Sequence, residues 1–204
     1  IFVNNKNKPK NTVVQSITHN LTLLQKQQYI CDQKLPYWII FRNNTFDDIL
    51  NKLTLNVFDV FRDRQITNTH LKDVSTNCDC IRVIKSRNIT DDGDKIINIA
   101  GYDAYLEGSV AKKLSVFKYL NNQEVYLTPN MTYKPRVIKK PVGVLVNGSV
   151  AILIPKKGVT PTTEQLRFFA SNAYRKFYQI ARNYQTRSLN VDSCSVYFYG
   201  LLNN

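Results

Sequence analysis

Sulfur, histidine and acid are scarce in this chain: its 204 residues include 4 cysteines, 2 histidines and 1 methionine. Cys31, Cys78, Cys80 and Cys194 are too few and too irregularly placed for a disulfide framework, and a zinc site would need a second close pair, or histidines, beside Cys78-Asp79-Cys80. Reduced cysteines in an intracellular protein are the expectation. His19 and His70 belong to no metal spacing. No Gly-x-Ser-x-Gly turn, phosphate-binding loop or carboxylate pair accompanies them, so neither an enzyme nor a cofactor is expected. No apolar run reaches the roughly eighteen residues of a membrane span, which argues against a membrane partner. The polar, lysine-bearing stretch from Ile1 to Asn11 does not read as a signal sequence, and a start without Met reads as the inside of a longer chain.

The shortage of acid is the first functional clue. Twenty-eight Lys and Arg against 15 Asp and Glu leave a net charge of +13, more than solubility needs and suited to a polyanionic partner. The imbalance is local. Between Met131 and Arg182 there are ten basic residues and one acid, Glu164, the density of a nucleic-acid footprint. Five Asn-x-Ser/Thr triplets occur in this Asn- and Thr-rich chain and mark surface at best.

The clearest structural unit runs from Pro141 to Leu202. Val142–Val146 and Ser149–Ile154 are β-rich runs separated by Asn147-Gly148, which predicts a hairpin with a type I′ turn. Thr162-Thr163-Glu164-Gln165 reads as a capping box. Leu166, Phe169, Ala170, Ala173, Phe177, Ile180, Ala181 and Tyr184 continue at helical spacing, predicting a helix over 162–184 that lays an apolar stripe on a sheet. The first half repeats this order more faintly. Val13–Leu23 and Tyr37–Phe41 read as strands. Thr45 as N-cap, followed by Phe46, Ile49, Leu50, Leu53, Val57, Val60 and Phe61, predicts a second helix over 46–62. Cys80–Ile84 reads as a further strand, Lys95–Ala104 as extended, Gly108–Leu120 as a short helix, and 124–127 and 131–138 as strands. Asp91-Asp92-Gly93-Asp94 is the expected boundary between two similar halves, 1–93 and 94–204.

This order, with Pro129-Asn130-Met131-Thr132-Tyr133 leading to Asn147-Gly148-Ser149, Asn98-Ile99-Ala100-Gly101 and the Glu164–Arg175 stretch, resembles the repeat of the TATA-box-binding protein family. Val191–Val196 also resembles a strand of that repeat, here as an extra strand within 191–201. The resemblance implies an α+β saddle: pseudo-twofold repeats, and a curved antiparallel sheet with two long helices on its convex face. It implies a non-catalytic initiation factor that bends double-stranded promoter DNA through the minor groove and recruits other initiation factors (TFIIB-like) and RNA polymerase, in a nucleus or, for a large DNA virus, in the host cytoplasm and virion. The alternatives are a basic structural protein of a virion, and a saddle that docks proteins without binding DNA.

Period-two alternation in the second β-run separates Ser149, Ala151 and Leu153 from Val150, Ile152 and Ile154. The uniformly β-branched set is expected under the long helix, which leaves Ser149, Ala151 and Leu153 for the DNA face. By the resemblance, Leu145 falls where the family wedges an apolar side chain between bases, and Thr128 falls where its partner would be. Lys134 and Lys139 match phosphate-contacting positions, with Arg136, Lys140, Lys156 and Lys157 beside them in sequence. Arg167, Arg175, Lys176 and Arg182 lie on the helix side that would face protein partners. Leu145, Thr128 and Leu153 depart from the family pattern, which puts strict TATA selectivity in question.

Overall fold

The computed structural model describes residues 11–17, 20–73, 79–184 and 189–203. In chain order the elements are β1 (Asn11–Ser16), β2 (Leu21–Lys26), α1 (Gln27–Ile30), α2 (Asn44–Leu50), β3 (Leu53–Thr54), β4 (Phe58–Arg62), β5 (Cys80–Ile84), β6 (Ala104–Glu107), α3 (Gly108–Ala111), β7 (Tyr126–Pro129), β8 (Met131–Thr132), β9 (Ile138–Lys139), β10 (Val144–Val146), β11 (Val150–Pro155), α4 (Thr163–Phe169), α5 (Asn172–Ala181), β12 (Leu189–Asn190) and β13 (Leu201–Leu202). The fold is therefore α+β. Its strands pair antiparallel except for β10 beside β5. No helix is long and apolar enough to cross a membrane among the described residues.

At the centre lies a four-stranded sheet in the order β4-β11-β7-β9. The uninterrupted apolar run of β11 is the pattern of a strand covered on both faces, and Val150, Ala151, Ile152 and Leu153 are all fully buried. Ala151 and Leu153 point into one core with Phe46, Phe58, Phe169, Tyr174, Phe177 and Tyr199. Val150 and Ile152 point into a second, with Val83, Leu106, Leu145 and Val146. The alternation is as expected but the faces are exchanged. The small set packs under the helices, and the β-branched set packs against a three-stranded sheet in the order β10-β5-β6.

That second sheet exists because the expected hairpin does not form. β10 runs parallel to β5, with Leu145 aligned to Val83, while β11 joins the central sheet. The Asn147-Gly148 step links two sheets instead of two neighbouring strands. Gly148 is not among the glycines with positive φ, so the turn is not type I′. The Asn147 carboxamide accepts from the Ser149 amide at 3.1 Å and from its hydroxyl at 2.6 Å, an Asx turn that bends the chain without left-handed backbone. Glycine is needed at 148 for another reason: a Cβ there would stand 2.9 Å from the Asp63 carbonyl oxygen.

The expected helix over 46–62 stops at Leu50, and its cap is Asn43, whose side chain accepts from the Phe46 amide at 3.0 Å, rather than Thr45. Asn56 takes φ 58°, and Phe58–Arg62 pairs with β11. The helix over 162–184 opens on the predicted capping box, with Thr162 and Gln165 bonded reciprocally at 2.9 and 3.3 Å. It is then broken between α4 and α5, where Ser171 caps the Tyr174 amide at 3.1 Å. The run expected as one strand over 13–23 supplies parts of β1 and β2, which pair antiparallel, and Tyr37–Phe41 is bend, irregular chain and turn rather than strand. At the carboxyl end, the expected extra strand is a single 3-10 turn over Ser195–Phe198 flanked by β12 and β13, the latter pairing with β3.

Candidate nucleic-acid interface

The structure sorts the ten residues expected at DNA into three groups. The first lies in the core. Leu145, Ala151 and Leu153 are fully buried, and Lys140 is 2% exposed, so none of the four presents a side chain to a groove or a phosphate in this conformation. Thr128 is buried with them, its hydroxyl 3.3 Å from that of Tyr199. Lys140 is buried against carbonyls: its ammonium donates to Leu120 at 2.9 Å and Pro141 at 2.8 Å. Burial pushes its pKa down to about 8.

The second group surrounds the 3-10 turn Ser86–Asn88. Arg136, 6% exposed, is a clamp rather than a phosphate contact. It donates to the carbonyls of Ser86, Ile89 and Lys134 and to the Thr132 hydroxyl, at 2.9–3.1 Å. Burial lowers its pKa, though the Asp91 carboxylate 3.8 Å away partly opposes this. The Ser149 hydroxyl accepts from the Ser86 amide at 3.2 Å. Lys134 stays at the surface, paired with Asp91 at 2.7 Å. The turn itself carries cations that sequence reasoning passed over. Lys85 and Arg87 sit 4.0 and 4.8 Å from the centre of the Tyr102 ring, within cation–π range. Lys85-Ser86-Arg87 was a readable basic pair. Tyr102, fifteen residues from Arg87 and hydrogen-bonded to its amide, had no local signal.

The third group forms a site. Lys139, Lys156 and Lys157 line one cleft of about 490 Å³ at the edge of the central sheet, together with Asn122, Gln123, Glu124 and Gly158. β9 places Lys139 opposite Tyr126 on β7. Lys156 and Lys157 follow Pro155, where β11 ends. The Lys156 amide donates to Val57 at 2.9 Å, and its ammonium donates to the Asn56 side chain at 2.7 Å, with Asp59 3.9 Å away. Gly158 takes φ 81° and turns the chain back, its turn closed by the Val159 amide on the Lys156 carbonyl at 3.0 Å. Lys139 and Lys157 are exposed, and their side chains have no ion-pair or hydrogen-bond partner among the described residues.

The residues expected to face proteins also divide. Lys176 is exposed on α5, and Arg167 on α4 reaches Asp94 at 3.7 Å. Arg175 is half-buried. Arg182 is structural: its side chain is 11% exposed and pairs with Asp192 at 3.1 Å. Two Asn-x-Ser/Thr triplets also lie away from the surface, since Asn88 and Asn130 are buried. Compared with protein-family models and with curated protein sequences, the chain matches none.

Proposed function

We propose that this protein binds duplex DNA without catalysing a reaction, holding phosphates with the lysines of the central-sheet cleft. The observation that carries this reading is the convergence of Lys139, Lys156 and Lys157, from separate stretches of the chain, on one surface cleft in a chain of net charge +13. Phosphate contacts of this kind supply affinity and salt dependence without sequence information. The finer reading is a saddle of the TATA-box-binding type that bends promoter DNA and recruits initiation factors or RNA polymerase. It is supported by the resemblance over 95–184. The burial of Leu145, Ala151 and Leu153 and the division of the strands between separate sheets weigh against its minor-groove wedge.

The test is fluorescence anisotropy with a labelled duplex across a salt series. Lys157→Ala should weaken binding to every duplex alike and make the plot of log K against log salt shallower by about one unit. An unchanged slope in a Lys139→Ala, Lys157→Ala double variant would remove the cleft from the reading. Binding no tighter than that of a protein of equal charge would remove DNA altogether. Energy transfer between duplex ends tests the saddle separately, since a minor-groove wedge bends the duplex and a phosphate clamp need not.

A further inference from the structure

The lysine cleft also holds a carboxylate. Lysines flank the segment Asn122-Gln123-Glu124 that leads into β7: Lys139 on β9 lies to one side of it, and Lys156 and Lys157 at the end of β11 lie to the other. Glu124 shares the cleft with three lysines and yet forms no ion pair among the described residues. Other acids of the molecule are paired: Asp91 with Lys134, Asp103 with Arg82, Glu107 with Lys72, Asp192 with Arg182. Opposite charges that line one cleft without neutralising each other select a particular ligand. Three lysines against one carboxylate attract an anion and repel a simple cation, and leave Glu124 free to accept from a donor on the same ligand. A molecule that carries both a phosphate and N–H donors satisfies the lysines and the carboxylate together.

The Gln123-Glu124 segment is also held in place. The Lys140 ammonium binds the Leu120 carbonyl at 2.9 Å, the Lys140 amide donates to Val125 at 3.0 Å, and the Gly143 amide donates to Leu120 at 3.0 Å. The Asn122 side chain accepts from the Glu124 amide at 2.8 Å, which sets the local turn. Lys140 is thus a positioning residue for the segment that lies between the lysines. A cleft of about 490 Å³ lies within the range of small-ligand sites.

Resting on the nucleic-acid reading above, we infer that this cleft accepts one nucleotide unit, its phosphate held by Lys139, Lys156 and Lys157 and the amino edge of its base by Glu124. A carboxylate accepts from the N4 amino group of cytosine. Thymine presents an acceptor, O4, at the corresponding place and is disfavoured. Gln123, exposed and adjacent, supplies a carboxamide for the rest of the base edge.

The experiment titrates ¹⁵N-labelled protein with deoxycytidine monophosphate, thymidine monophosphate and inorganic phosphate, following the amides of Gln123, Glu124, Lys157 and Gly158. Deoxycytidine monophosphate should saturate these shifts at about tenfold lower concentration than the thymidine nucleotide, with phosphate alone weaker than either. Glu124→Gln, an exposed substitution that spares the fold, should abolish or invert the preference because a carboxamide can donate to O4. Equal affinity for the two nucleotides overturns the inference, as does a preference that survives Glu124→Gln. Duplex anisotropy on the same samples separates the two readings. Duplex binding without nucleotide discrimination leaves the DNA reading standing and removes this one. Discrimination without duplex binding identifies a nucleotide pocket and removes the DNA reading.

Discussion

The Lys140 ammonium has two main-chain carbonyls for company and a pKa pushed down to about 8 by burial, against an ordinary value of 10.5. In the unfolded chain the amine keeps the higher value. Between about pH 8 and 10.5 the unfolded state therefore binds the extra proton, and stability rises with pH. Burying the cation destabilises the fold in full below about pH 8, and this effect is relieved as pH rises toward 10.5. The Cys31 thiol and the buried hydroxyls of Tyr174, Tyr178 and Tyr199 have raised pKa values and act in the opposite direction once pH exceeds their unfolded values of 9.0 and 10.0. The window from about pH 8 to 9 thus isolates the lysine. Urea denaturation of wild type should show stability increasing across that window, and Lys140→Met should flatten it. A rise of equal size in the variant would assign the effect to another group.

At the scale of elements, the helices are held by aromatic packing. Phe177 on α5 stacks on Phe46 of α2, ring centres 4.8 Å apart and 15° from parallel, and Phe169 meets Tyr174 edge-on at 4.9 Å. Phe177→Ala should cost roughly 3–5 kcal/mol in chemical denaturation, and Ser171→Ala, which removes the cap between α4 and α5, about 0.5–2 kcal/mol. A cost below about 1 kcal/mol at Phe177 would mean that the apolar stripe is not core. That stripe, the capping box at Thr162, strand Cys80–Ile84 and the alternation in β11 were all readable in the sequence, because each depends on neighbours three or four positions away at most. The end of the second helix was not, since Leu53, Val57, Val60 and Phe61 fit a helical stripe and an alternating strand equally. What decides between them is pairing with β11, ninety residues along the chain. The same holds for the site. The basic density between 131 and 182 was visible, but which lysines reach the surface together depends on where β9 and β11 end, and the Asn122–Glu124 segment between them carries no local signal at all.

At the scale of the molecule, the cores do not divide at the Asp91–Asp94 turn. One core joins Leu35–Phe58 to Phe169–Leu201 and takes in Tyr126, Val137, Ala151 and Leu153 from the middle of the chain, while the other is built from residues between Ile66 and Ile152. The central sheet is the wall between the two, with Leu127 and Ile152 on one side and Tyr126 and Leu153 on the other. Because alternate residues of the same strands serve both cores, neither can lose its packing while the sheet stays intact for the other, and unfolding should be a single cooperative transition. Leu106→Ala, in the core built from the middle of the chain, should destabilise by about 2–5 kcal/mol, which for a chain of this size lowers the melting temperature by very roughly 4–20 °C. Trp38 is the chain's one tryptophan and lies near the other core, beside Tyr37 and Ile39. If the sheet couples the cores, Trp38 fluorescence and far-ultraviolet circular dichroism should shift together in Leu106→Ala. Two independently folding units would instead leave the Trp38 transition at its wild-type temperature while the circular dichroism transition splits in two.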